Sequence, residues 1–87
     1  MNKKVEEALV CTMEEWGELI QACSKMIRTD GAEKYHKNLQ EEVGDVMCMI
    51  EILHTVGLLD EKKLIRRMKS KKRKLEKWST IFDEGKV

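Results

Sequence analysis

The sequence predicts an all-α protein: an antiparallel helical hairpin plus a third helix, forming a helical bundle completed by oligomerisation. Three observations predict it. No proline interrupts the 87 residues, 38% of them are charged, and Glu, Lys, Leu, Met and Ile recur. Apolar residues return at spacings of three and four through three long segments. Turn signals are confined to two short stretches, "RTDGAEK" and "GLLD". A chain of this length is expected to be one domain, 1–87. Its aromatic residues Trp16, Tyr35, Trp78 and Phe82 lie far apart, and association is a common remedy for a thin core.

The first helix is expected over 2–28. Asn2 suits an N-cap, and Glu6 and Glu7 suit the positive end of the helix dipole. Val5, Leu9, Thr12, Met13, Trp16, Ile20, Cys23 and Ile27 form its main stripe, which places Trp16 in the core. Asp30-Gly31 marks the turn, with Gly31 able to close the helix in a left-handed conformation. The second helix is expected over 33–56, with Tyr35, Leu39, Val43, Val46, Met47, Ile50 and Leu53 as its stripe and Gly57 as its stop. Asp60 caps a third helix from 61 to 78 or beyond, with a seam of Leu64, Ile65, Met68, Leu75 and Trp78. In the tail, Ile81 and Phe82 are placed to dock on the body or on a partner subunit.

Two stretches read almost alike, "EEWGE" at 14–18 and "EEVGD" at 41–45. On a wheel of about 100° per residue, Glu42 lies only about 60° from the centre of the second helix's stripe. Asp45 is flanked by Met49, Ile52 and Val56 on its own side. Both acids are therefore embedded in an apolar arc, where a carboxylate is costly unless paired, protonated or bound to a metal. Glu15 and Glu18 lie along a second strip of the first helix, with Ala8, Cys11, Ala22 and Met26. The pairs 15 with 45 and 18 with 42 are both centred on residue 30, the Asp30-Gly31 turn. A hairpin closed there brings Glu15, Glu18, Glu42 and Asp45 to one level. Like charges so gathered become stable with a hard divalent cation, and oxygen-only ligation favours Mg²⁺, with Mn²⁺ as a substitute.

Charge is divided along the chain. Residues 1–60 carry six Lys/Arg against twelve Asp/Glu, a balance of −6, and residues 61–87 carry eleven against four, a balance of +7. An acidic body with a basic last helix suits metal-plus-phosphate chemistry or a nucleic-acid binder. The run "RRMKSKKRK" at 66–74 wraps round its helix, so much of it must be solvated.

"EEWGE" fits an EExxE pattern and "EVGD" an ExxD pattern. Together with "GELIQACSKMIR" and "NLQEEVGDVMCMIEIL", they resemble the MazG-like members of the all-α nucleoside triphosphate pyrophosphohydrolase superfamily, the small bacterial and phage versions most. The likeness spans residues 5–59. It implies Mg²⁺-dependent hydrolysis of an NTP or dNTP to the monophosphate and pyrophosphate, a housekeeping task on nucleotide pools. By motif position it implies that Glu15, Glu18, Glu42 and Asp45 hold the metal. It also implies that Glu14 orients a ligand or a water, and that Glu18 or Glu15 takes the proton of the attacking water. Lys25, Asn38, Lys69 and Lys72 are the candidate substrate contacts. The shortness of the chain and the density of its basic run depart from many relatives.

The remaining candidates have plain readings. Cys11, Cys23 and Cys48 lack CxxC spacing and read as small buried hydrophobes in a reducing compartment. His36 and His54 read as structural, and Met47 and Met49 as core fillers. No signal peptide or membrane span is visible, so the cytoplasm is the expected compartment and no membrane partner is expected. The expected partners are the nucleotide and further copies of the chain, as a homodimer or homotetramer. A dedicated dUTPase or dCTP pyrophosphatase is the alternative within the class. A non-catalytic helical nucleic-acid or protein interaction module is the alternative outside it, and nucleic acid is the less favoured partner.

Overall fold

The computed structural model describes residues 1–83. Those residues form three helices, α1 (Lys3–Arg28), α2 (Glu33–Thr55) and α3 (Glu61–Trp78), with no strand among them. The part of the expected tail at 84–87 lies outside the described residues.

Local chemistry accounts for each end. Asn2 takes an extended backbone conformation, and its Oδ1 accepts from Lys4 N–H at 2.7 Å, relieving one of the orphan donors of the first turn. Asp60 does the same for α3, accepting from Lys63 N–H at 3.1 Å. Both α1 and α2 end in a Schellman pattern. At α1, Gly31 N–H reaches Met26 O at 2.9 Å and Asp30 N–H reaches Ile27 O at 3.2 Å. The left-handed position just past the C-cap belongs to Asp30, with φ 52°, and Gly31 follows with φ 78°. The turn therefore uses two left-handed residues, where Gly31 alone was expected. At α2, Leu58 N–H reaches Leu53 O and Gly57 N–H reaches His54 O, each at 3.0 Å, with Gly57 at φ 84°.

α1 and α2 pack as an antiparallel hairpin, and this is the only contact between helices among the described residues. Its core is small: Ala8 and Ala22 from α1, and Val46, Met49 and Leu53 from α2. Only three of these are larger than alanine, a thin core for a chain of this length.

The face of α1 that meets α2 is not its main stripe. Met13, Ile20 and Ile27 are 73%, 66% and 81% exposed, and Trp16 is also exposed rather than core. The second strip is turned inward instead. Ala8 and Ala22 have side chains short enough for α2 to come close, and Cys11, Glu15, Leu19 and Met26 flank them half-buried. On α2 the buried set keeps Val46 and Leu53 of the expected stripe and adds Met49. Val46, Met49 and Leu53 surround the position of Glu42, while Val43, Met47 and Ile50 of the expected stripe are exposed. The apolar arcs of both helices are wider than one neighbour can cover, and the chain covers one side of each. Cys23 and Cys48 are exposed, which corrects their reading as buried.

α3 stands away from the hairpin. Its ends are as expected, yet none of its residues is buried, and Met68 and Trp78 are 69% and 79% exposed. The Cα radius of gyration is 15.7 Å, against about 12 Å for a compact chain of this length. The tail folds back along α3, with Phe82 beside the Lys72 ammonium at 5.7 Å from the ring centroid. The described residues are thus a hairpin and a separate third helix, without a closed bundle. No described helix is long and apolar enough to cross a membrane.

Candidate metal centre

Glu15 and Glu18 sit one turn apart on α1, and Glu42 and Asp45 one turn apart on α2, so each pair points to one side of its helix. Pairing centred on the Asp30-Gly31 turn sets the two pairs level. Each of the four residues offers a carboxylate oxygen, and these oxygens all lie within 4.8 Å of one another. Glu15 and Glu42 are half-buried, at the helix–helix seam, while Glu18 and Asp45 open to solvent.

Three buried oxygens at this seam have no hydrogen-bond partner: Oε2 of Glu15, Oε2 of Glu42 and Oδ1 of Asn38. Asn38 is half-buried on α2, one turn before Glu42. Unsatisfied buried acceptors are uncommon in native proteins and call for a donor or a cation.

The electrostatics point the same way. The Glu15 pKa is raised above 4.5, first by desolvation, then by the charges of Glu18, Asp45 and Glu14. That of Glu42 is raised by desolvation first, then by its hydrogen-bonding contact with Glu18 and the charges of Glu18, Asp45 and Glu15. Every influence on these two groups is raising, and none comes from a lysine or arginine. The described chain supplies repulsion and no compensating cation. Oxygen-only donors, orphaned acceptors and uncompensated charge are the chemistry of a hard divalent cation site, and the residues present fit Mg²⁺ or Mn²⁺.

The other candidates are placed unequally. Glu14 is exposed beside Glu15, and its charge reaches it. Lys25 is half-buried about two turns past Glu18 and is not among the groups that shift Glu15 or Glu42. Lys69 and Lys72 are exposed on α3, which makes no contact with the hairpin, so one chain does not bring them to the acids. His36 and His54 are exposed and outside the acidic cluster. On the wheel of α3 at about 100° per residue, Lys71 and Lys72 fall inside the apolar arc, and Lys69 lines the same groove.

Comparison with models of protein families, with curated proteins and with solved structures found no match to this chain.

Proposed function

We propose that this chain is a Mg²⁺-dependent nucleoside triphosphate pyrophosphohydrolase that serves nucleotide-pool housekeeping in the cytoplasm. One observation carries the reading. Four carboxylates from two helices converge within 4.8 Å, and two of them bury an oxygen with no partner. A solvated acidic surface would leave those oxygens to water.

Glu15, Glu18, Glu42 and Asp45 would hold the cation. When bound, it would neutralise triphosphate charge and make a water acidic enough to serve as nucleophile. The protein's own residues divide the rest. Glu18 or Glu15 accepts the water proton. Glu14 orients a ligand or a water by hydrogen bonding. The Asn38 amide, with its free oxygen in the seam, fixes one polar group of the nucleotide, and Lys25 contacts a phosphate. The water oxygen bonds to the α-phosphorus and the bond to the bridging oxygen breaks, leaving nucleoside monophosphate and pyrophosphate.

The exposed stripes of α1 and α2 support association as a homodimer or homotetramer, since exposed apolar patches of this kind mark interaction surfaces. A second reading, a nucleic-acid-binding module without catalysis, draws on the exposed basic face of α3.

A panel of NTPs and dNTPs with Mg²⁺ tests the reading. Monophosphate and pyrophosphate should appear and be lost in Glu42→Gln and Asp45→Asn with helix content retained. Full activity in either variant would overturn the ligand assignment. A single preferred pyrimidine would mark a dedicated dUTPase or dCTP pyrophosphatase. Salt-sensitive DNA or RNA binding with no turnover would favour the second reading.

A further inference from the structure

We propose that α3 of one copy docks across the acid-bearing hairpin of a second copy, carrying Lys71 and Lys72 toward the Glu15–Glu18–Glu42–Asp45 cluster. The arm exchange stands whether or not the chain hydrolyses nucleotides. Only a role for these lysines at phosphate rests on the proposed function.

Two mismatches within the chain carry the proposal. The hairpin embeds anions in an apolar seam without a cation to compensate them. α3 presents exposed lysines beside an open apolar groove that no other described helix of the chain covers. That groove has a volume of about 860 Å³; its apolar lining is Leu64, Ile65, Met68, Leu75 and Phe82, and Arg67, Lys69, Lys71 and Lys72 supply its cations. The half-buried acids lack a cation and the apolar seam of α3 lacks a cover, and the two surfaces are complementary in charge. The charge division, −6 over residues 1–60 and +7 over 61–87, supplies long-range attraction between one copy's hairpin and another's α3. The hairpin also leaves Met13, Ile20 and Ile27 largely exposed, an apolar surface that an amphipathic helix can cover.

The connection argues for exchange over closure onto the same chain. Both of its ends are pinned. Gly57 and Leu58 close α2 through their N–H bonds to His54 and Leu53, and Asp60 caps α3 through Lys63 N–H. The connection between these caps is short, and α3 makes no contact with the hairpin of its own chain. A nucleic acid would meet the charge of α3 and leave its apolar groove wet. An anionic membrane would cover the groove and repel the acidic hairpin. A second copy satisfies both surfaces.

The test is cross-linking of the full chain, mixed in equal parts as light and ¹⁵N-labelled protein, unfolded together and refolded. A carbodiimide joins lysine amines to carboxylates that touch. Peptides carrying Lys71 or Lys72 should join to those carrying Glu18 or Asp45, with light–heavy pairs as abundant as same-isotope pairs. Light scattering should give two or more times the 10.2 kDa chain mass. Met68→Glu with Leu75→Glu should reduce it to one chain. Lys71→Glu with Lys72→Glu, a surface change that spares the apolar seam, should weaken association at least tenfold with helix content retained. Joined peptides found only as same-isotope pairs, or a wild-type chain of monomer mass, would overturn the proposal. So would a monomer that binds anionic vesicles or nucleic acid through α3. Absence of NTP turnover would count against the proposed function and leave this result untouched.

Discussion

Glu15 of α1 and Glu42 of α2 are the two half-buried acids of the helix–helix seam, and each offers a carboxylate oxygen within 4.8 Å of the other's. Each also buries an oxygen that has no hydrogen-bond partner. Two like charges occupy a seam that helix packing would ordinarily fill with leucine. That placement costs the hairpin stability.

Acid should therefore relieve the cation-free protein. The folded pKa of Glu42 lies above its ordinary value of 4.5, so between those two pKa values the folded chain holds more protons than the unfolded one. Stability then falls as pH rises through that window. Below it, protonated Glu42 and a glutamine are both neutral. Above it, the wild type carries the buried charge. Denaturation of the wild type and Glu42→Gln in EDTA, from pH 4 upward, should show the variant gaining relative stability as pH rises. A difference that shrinks with rising pH would contradict the electrostatic account.

A divalent cation should remove the same penalty. A ligand held only by the folded state stabilises it by about 2.7 kcal/mol at a hundredfold excess over Kd. In a domain of this size that is a rise of about 10 °C or more in Tm. Mg²⁺ should produce it, and Na⁺ at equal ionic strength should not. Asp45→Asn should lose most of the gain. An equal response to both salts would indicate screening without a site.

The two helix-interior glycines separate a lone hairpin from an assembled one. A Cβ at Gly17 or Gly44 would meet nothing within 4 Å in the chain itself. Alanine there should raise stability by about 1 kcal/mol through helix propensity alone. Thermal melts of Gly17→Ala and Gly44→Ala check this. A loss instead of a gain would place a partner helix against the glycine, and Gly17→Leu or Gly44→Leu would then also dissociate the oligomer. At Gly57, where φ is 84°, alanine should cost about 1 kcal/mol in either case.

The helix ends were legible in the sequence because capping is local. Asn2, Asp60 and Gly57 each act within a few residues, and the observed bounds follow them to within a residue. The acidic quartet was legible because a tight turn converts sequence spacing into level, and Asp30-Gly31 marked the turn. Which side of α1 faces inward was not legible. Its apolar arc spans both Trp16 and Ala22, and hydrophobicity ranks the larger residue first. Close approach of the helices selected the smaller one, and that is a property of the pair. The separation of α3 was equally hidden. The seam of Leu64, Ile65 and Met68 announces that something covers it, and the pattern is the same whether the cover lies in this chain or another.

In the proposed reaction, water attacks the α-phosphorus of a nucleotide bound over the four carboxylates. Turnover of a nucleoside triphosphate in H₂¹⁸O with Mg²⁺, followed by mass spectrometry of the products, tests it most directly. The account predicts one ¹⁸O in the nucleoside monophosphate and none in the pyrophosphate. Label in the pyrophosphate, or release of orthophosphate and nucleoside diphosphate, would contradict it.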